Sequence, residues 1–166
     1  MILRGKAWKF GDDVSTDLIA PGRYFHLRSD LKELTKHVLE DADSEFANKV
    51  SSGDFVVGGR NFGLGSSREH APTIIKLAGV SCVLAKSFAR IFFRNSINIG
   101  LPVIECDTDK ISAQDELEVD LEKGIIKNIT KKAELRFSAL PKAMTQILQD
   151  GGLVEHIKKH GDFKIE

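Results

Sequence analysis

Gly58-Gly59-Arg60-Asn61-Phe62-Gly63-Leu64-Gly65-Ser66-Ser67-Arg68-Glu69-His70 is the stretch that decides the reading of this chain. It follows Phe55-Val56-Val57, a short apolar run with the pattern of a buried strand. Beyond it, Ile74, Ile75, Leu77 and Ala78 predict a helix that stops at Gly79. A glycine-rich loop thus delivers two serines and an arginine to a helix N-terminus. Unpaired backbone N–H groups and the positive end of the helix dipole favour anions there. An arginine adds a planar fork that grips a carboxylate or phosphate with two hydrogen bonds. The plain alternative is that Ser66 or Ser67 is only a helix cap. Capping would use one hydroxyl, and it leaves the four glycines and the Arg-Glu-His trio unexplained.

Three familiar glycine motifs fail here, each on a specific residue. Gly58 and Gly63 have the spacing of a nucleotide-hydrolase phosphate loop, but Leu64-Gly65 stand where Lys and Ser or Thr are needed. The dinucleotide fingerprint through Gly63 and Gly65 needs a third glycine at 68, which is Arg. A hydrolase nucleophile elbow would need serine at Gly65.

What the string resembles is the signature of the mobile C-terminal, or swivel, domain of the aconitase superfamily. Asn61-Phe62-Gly63 and Gly65-Ser66-Ser67-Arg68-Glu69-His70 carry the likeness. Two further blocks support it in family order: Gly11-Asp12-Asp13-Val14-Ser15-Thr16-Asp17-Leu18-Ile19-Ala20-Pro21, and Ala85-Lys86-Ser87-Phe88-Ala89-Arg90-Ile91-Phe92-Phe93-Arg94-Asn95. Together they span roughly the first two thirds of the sequence. At 166 residues the chain has the size of one domain, read here as a single swivel domain over 1–166. It is similar in size to the separate small subunits of two-chain members, the isopropylmalate dehydratases and homoaconitases.

The resemblance implies a hydro-lyase that removes water from a hydroxy-acid and adds it back at the neighbouring carbon. It implies a three-layer β/β/α domain with a largely parallel central sheet flanked by helices. It also implies roles. Ser66 matches the serine whose alkoxide takes the C–H proton. Ser67 and Arg68 match the contacts to substrate carboxylates. Asp17 matches the acidic residue of a Thr-Asp-x-Ile element, read as orienting its neighbours rather than moving protons. The loop Gly22 to Ser29 matches the segment that meets the variable part of the substrate. Tyr24, Phe25 and Leu27 offer an apolar lining for an isopropyl group, and Arg28 offers a carboxylate contact. Both isopropylmalate and homoaconitate stay open as substrates, singly or together, and so does a stand-alone anion-binding module.

In the family a four-iron four-sulfur cluster sits on a large subunit, and this chain is expected to meet that partner as a heterodimer or heterotetramer. Its own cysteines agree. Cys82 lies in an apolar run and Cys106 at a strand end, with no Cys-x-x-Cys spacing to hold a cluster. No cofactor is expected in this chain. No metal site is expected either, with His37, His156 and His160 read as surface residues, His26 placed in the specificity loop and His70 assigned to packing.

Lys plus Arg and Asp plus Glu both number 24, so bulk electrostatic binding to nucleic acid or anionic membrane is disfavoured. No apolar run spans a bilayer, and Met1 to Lys6 lacks a signal-peptide core. A cytoplasmic subunit is expected, with a partner-facing apolar surface that allows self-association when isolated.

The remaining elements read as alternating strands and helices. Leu3 to Phe10 predicts a first strand and Gly11 to Arg28 a long loop. Asp30 and Glu33 predict a capping pair. Ser87 predicts the cap of a helix running to Ile97, with Phe88, Ile91 and Phe92 as its buried stripe. Glu116 to Asp120 and Ile125 to Ile129 predict a hairpin. Pro141 predicts a helix start, and Gly151-Gly152 a break before a Leu153 to His160 helix.

Overall fold

A computed structural model describes residues 1–161. They form one seven-stranded sheet in the order β4-β3-β2-β1-β5-β6-β7. β1 (Ile2–Lys9) is the hinge of the topology. On one side it pairs in parallel with β2 (Phe55–Val57), followed by β3 (Cys82–Ala85) and β4 (Val103–Glu105). On the other it pairs antiparallel with β5 (Glu116–Asp120), followed by β6 (Ile125–Asn128) and β7 (Ala133–Arg136).

The sheet is therefore mixed, and the expectation of a largely parallel sheet is corrected. Crossover helices join β2, β3 and β4, which forces parallel pairing. Tight turns join β5, β6 and β7, which forces antiparallel pairing. The helices are α1 (Thr16–Ile19), α2 (Leu31–Thr35), α3 (Phe46–Lys49), α4 (His70–Leu77), α5 (Arg90–Asn98), α6 (Lys142–Gln149) and α7 (Leu153–His160).

Two apolar clusters explain the layering. The first contains Val56 and Val83 from the sheet with Leu34, Phe46, Ile74, Ile75, Phe92 and Leu148 from the helices. The second contains Phe55, Leu84 and Ile104 from the parallel half together with Leu117, Val119, Ile126 and Leu135 from the antiparallel half, and no helical residue. Both halves of one sheet thus share a core, so the sheet curls on itself. The two β layers come from that curl. The helices pack on one face of the parallel half and do not flank the sheet on both sides. Successive residues of β2 and β3 point into different clusters, which is why those strands are apolar throughout. β5 alternates instead, with Leu117 and Val119 inward and Glu116, Glu118 and Asp120 outward.

Several local expectations shift. The long loop after β1 contains α1 and a 3-10 helix, Gly22–Leu27. Asp30 does accept from the Glu33 backbone N–H at 3.3 Å, but the Glu33 carboxylate turns to Lys36 at 2.8 Å, so the box is not reciprocal. Ser87 caps nothing: α5 begins at Arg90 without a side-chain cap, and Ile91 is half exposed. His156 is buried, contrary to its reading as a surface residue.

Candidate active site

The three sequence blocks meet beyond the carboxyl ends of β1, β2 and β3, the usual place for a site in a parallel sheet. Backbone hydrogen bonds stitch them. Gly59 donates to Gly11 at 2.9 Å, Gly63 to Val14 at 2.7 Å and Thr16 to Leu64 at 2.8 Å. The third block joins through Phe62 N–H to the Ser87 carbonyl, 3.0 Å, and Ala89 N–H to the Phe62 carbonyl, 3.0 Å. Side chains complete the net. Asp12 accepts from the Arg60 N–H at 2.7 Å, and the Ser87 hydroxyl accepts from the Asn61 N–H at 2.8 Å. That second bond is where the presumed helix cap went.

The loop's path explains its glycines. Gly63 has φ +83°, and a Cβ there would collide with the Phe92 ring. Any larger residue would push the loop off α5. The Thr16 hydroxyl then donates to the Ser66 carbonyl at 2.8 Å and pins the backbone of the serine pair to the first block.

Ser66 and Ser67 are exposed, and among the described residues neither hydroxyl has a hydrogen-bond partner. Neither is a cap, since α4 begins at His70 after Glu69 with no side-chain cap. Ser66 therefore stands before the first helical turn, where the dipole has largely decayed. Local cations must do most of the work of favouring an anion there. With Thr16, Gly63, Gly65, Arg68, Arg90 and Phe92, the serines line a hollow of about 320 Å³.

Arg68 is held from behind. Its Nη1 donates to the Ala20 carbonyl at 2.7 Å and lies 3.1 Å from Asp17 Oδ1. Asp17 thus orients the guanidinium, as an outer partner orients a ligand. Arg68 is mostly buried, so its charge acts in a less screened setting than a surface arginine's. Arg90 and Asn95 also reach the hollow, and the sequence reading assigned them no role. Their place in the third block was the only signal for them.

The Gly22 to Ser29 strap divides. Arg23 clamps it to the body through Glu40 and Asp41, and Tyr24 stacks on His37 with ring centres 3.8 Å apart. Leu27 packs on the core. Of the three residues offered as an apolar lining, only Phe25 approaches the site's arginine, its ring centre 5.9 Å from the Arg68 guanidinium carbon and 6.1 Å from the His70 ring, and it stands beside the hollow rather than in its lining. Arg28 folds over that ring, its guanidinium carbon 4.3 Å from the ring centre, and donates to the Phe25 carbonyl at 3.2 Å. It lies outside the lining of the hollow. Burial, with the charges of Arg68 and Arg28, lowers the His70 pKa.

The cysteines do not make a cluster site. Cys82 is fully buried in β3, and burial raises its thiol well above the ordinary value. Burial pushes the Cys106 thiol up to about 12. Cluster ligation needs accessible thiolates, so these residues do not fit one.

Residues 20–109 match the family model of the aconitase C-terminal domain. The small subunit 2 of 3-isopropylmalate dehydratase from Archaeoglobus fulgidus is 62% identical over 165 residues, covering 99% of this chain and all of that one. Small subunit 1 from Thermotoga maritima is 63% identical, covering 98% of each chain. The crystal structure of 3-isopropylmalate dehydratase from Methanocaldococcus jannaschii superposes with a TM-score of 0.93 at 46% identity, covering 97% of this chain and 96% of its own. Matched end to end with such subunits, and carrying its serine–arginine hollow inside the aconitase-type segment, this chain belongs to the 3-isopropylmalate dehydratase small-subunit family.

Proposed function

We propose that this chain supplies the base and the carboxylate grip of a hydro-lyase that interconverts 2-isopropylmalate and 3-isopropylmalate in leucine synthesis. One observation carries the reading: the Arg68 guanidinium, fixed by Ala20 and Asp17, stands in one hollow with two unpartnered serine hydroxyls.

A serine hydroxyl is a weak base at its ordinary pKa. To take a C–H proton it must lose its own, and the alkoxide needs positive charge nearby. Arg68 and Arg90 supply that charge from this chain. In our reading Ser66 takes the proton, while Ser67 and Arg68 hold a substrate carboxylate and fix the carbon beside Ser66. Asp17 keeps Arg68 in place. Phe25 presents an apolar edge to the isopropyl group, and Arg28 backs the ring.

The name small subunit implies a large subunit as partner. The four-iron four-sulfur cluster belongs on that partner in our reading, because the two cysteines of this chain, one buried and one half-buried and both with raised thiol pKa values, do not fit it. Departure of hydroxide falls to the partner's half of the site. We assign the chain to the cytoplasm as one swivel domain, and among the described residues no helix is long and apolar enough to cross a membrane.

The test is anaerobic reconstitution with the cluster-bearing large subunit, offered 3-isopropylmalate and homoaconitate in parallel. Turnover of isopropylmalate is expected, with the chain alone inactive. Turnover of homoaconitate only would overturn the substrate assignment and make Arg28 the leading carboxylate contact.

A further inference from the structure

We propose that Asp150, His156 and His160 form a binding site for a divalent transition-metal ion of the zinc type, at the corner between α6 and α7. The two histidines stand four residues apart on α7 and so share one face of the helix. Asp150 closes α6, and Gly151 and Gly152, at φ +90° and +125°, turn the chain back so that its carboxylate meets that face. Asp150 Oδ2 lies 2.7 Å from His156 Nδ1 and 2.9 Å from His160 Nε2. The three potential ligand atoms all fall within 4.8 Å of one another. Sequence spacing does not reveal this turn, which is what brings a carboxylate to the histidine pair.

Two imidazoles and a carboxylate suit zinc and its first-row neighbours better than calcium or magnesium, which prefer oxygen throughout. Metal–ligand bonds of about 2.0–2.2 Å place tetrahedral donors roughly 3.4 Å apart, so the carboxylate withdraws by about 0.5–0.7 Å while the two imidazoles, which lie within 4.8 Å, close in through a turn of the exposed His160 ring. The His156 side chain is 1% exposed and that of Asp150 7%, while that of His160 is 30% exposed. Two ligands are thus anchored in the fold, and the third stands where an ion enters and a water completes its shell. The Lys159 ammonium holds Asp150 Oδ1 at 2.9 Å, an outer contact that leaves Oδ2 to the ion. Lys159 opposes a cation by charge, but it is largely solvated. Glu155 and Lys158, on the same helix, pair with each other at 3.1 Å.

Without an ion, Oδ2 accepts both histidine N–H groups, since a carboxylate only accepts. With one, each ring carries its proton on the other nitrogen and offers a lone pair. None of the three residues lines the Ser66 hollow, so the ion's role is to tie α7 to the end of α6.

The test uses the chelator-treated full chain, titrated with Zn2+ by calorimetry and with Co2+ by visible absorption. One ion per chain is expected, with a nitrogen-ligated tetrahedral Co2+ spectrum and a raised Tm. His160→Ala and Asp150→Asn, checked for folding by circular dichroism, should each weaken binding by more than about 100-fold, the upper range for losing an outer partner alone. His37→Ala should leave it unchanged. Should a variant fail to fold, imidazole NMR signals of the wild-type chain decide: Zn2+ must shift those of His156 and His160. Absence of one-to-one binding, equal affinity in folded His160→Ala, or shifts confined to other histidines would overturn the proposal.

Discussion

The parallel and antiparallel halves of this sheet share a core and divide the labour. β1, β2 and β3 end in the three loops that build the hollow, and each of those loops is stitched to the others by backbone bonds. β5, β6 and β7 end in turns that touch none of it, with one face in the core and the other in solvent. A parallel edge collects several loop ends on one side, because every strand runs the same way. An antiparallel edge alternates them. Chemistry gathers at the first, and the second closes the barrel-like curl and shields the apolar face beneath.

Substitutions in the two halves should therefore separate activity from stability. The largest effect is expected from Ser66→Ala in the parallel half: a fall in turnover of about 10²–10⁴, the usual share of a positioned base, with Tm unchanged because the hydroxyl is unpartnered. Leu117→Ala in the antiparallel half should do the reverse. It removes a buried side chain from the second core and should lower stability by about 2–5 kcal/mol in denaturant titration, with activity per folded molecule kept. Loss of activity beyond loss of folded protein would break the division. Arg68→Lys should reduce kcat/KM by about 10- to 100-fold, since an ammonium cannot bind Ala20, Asp17 and a carboxylate with one planar fork. Phe25→Ala should be the mildest, a severalfold rise in KM for isopropylmalate with little change in Tm, because the ring is half exposed.

The same contrast explains what the sequence revealed. β2 was legible as Phe55–Val57, because a strand buried on both faces is apolar throughout and glycine ends it. The hairpin of β5 and β6 was legible from alternation around Gly124. β7 was not, because Ala133–Arg136 buries only Leu135, between Glu134 and Arg136. The largely parallel sheet was an implication of the family resemblance, and the pairing of β5, β6 and β7 corrects it. Ser87 was misread because a cap is local, whereas its real partner, the Asn61 N–H, lies 26 residues away. Tyr24 was assigned to the substrate because its stacking partner His37 is invisible to spacing. The identity of Ser66, Ser67 and Arg68 as a group was legible from their string. Their support by Ala20, Asp17 and Thr16 needed the fold, which brings together segments about 50 residues apart.

Kinetics of Ser66→Ala beside Ser67→Ala, each reconstituted anaerobically with the large subunit and confirmed as assembled by size exclusion, would probe the base assignment most directly. Loss of kcat at Ser66 with assembly intact, against a rise mainly in KM at Ser67, is the expected pattern. Near-normal kcat in an assembled Ser66→Ala enzyme would contradict it and move the base elsewhere in the hollow.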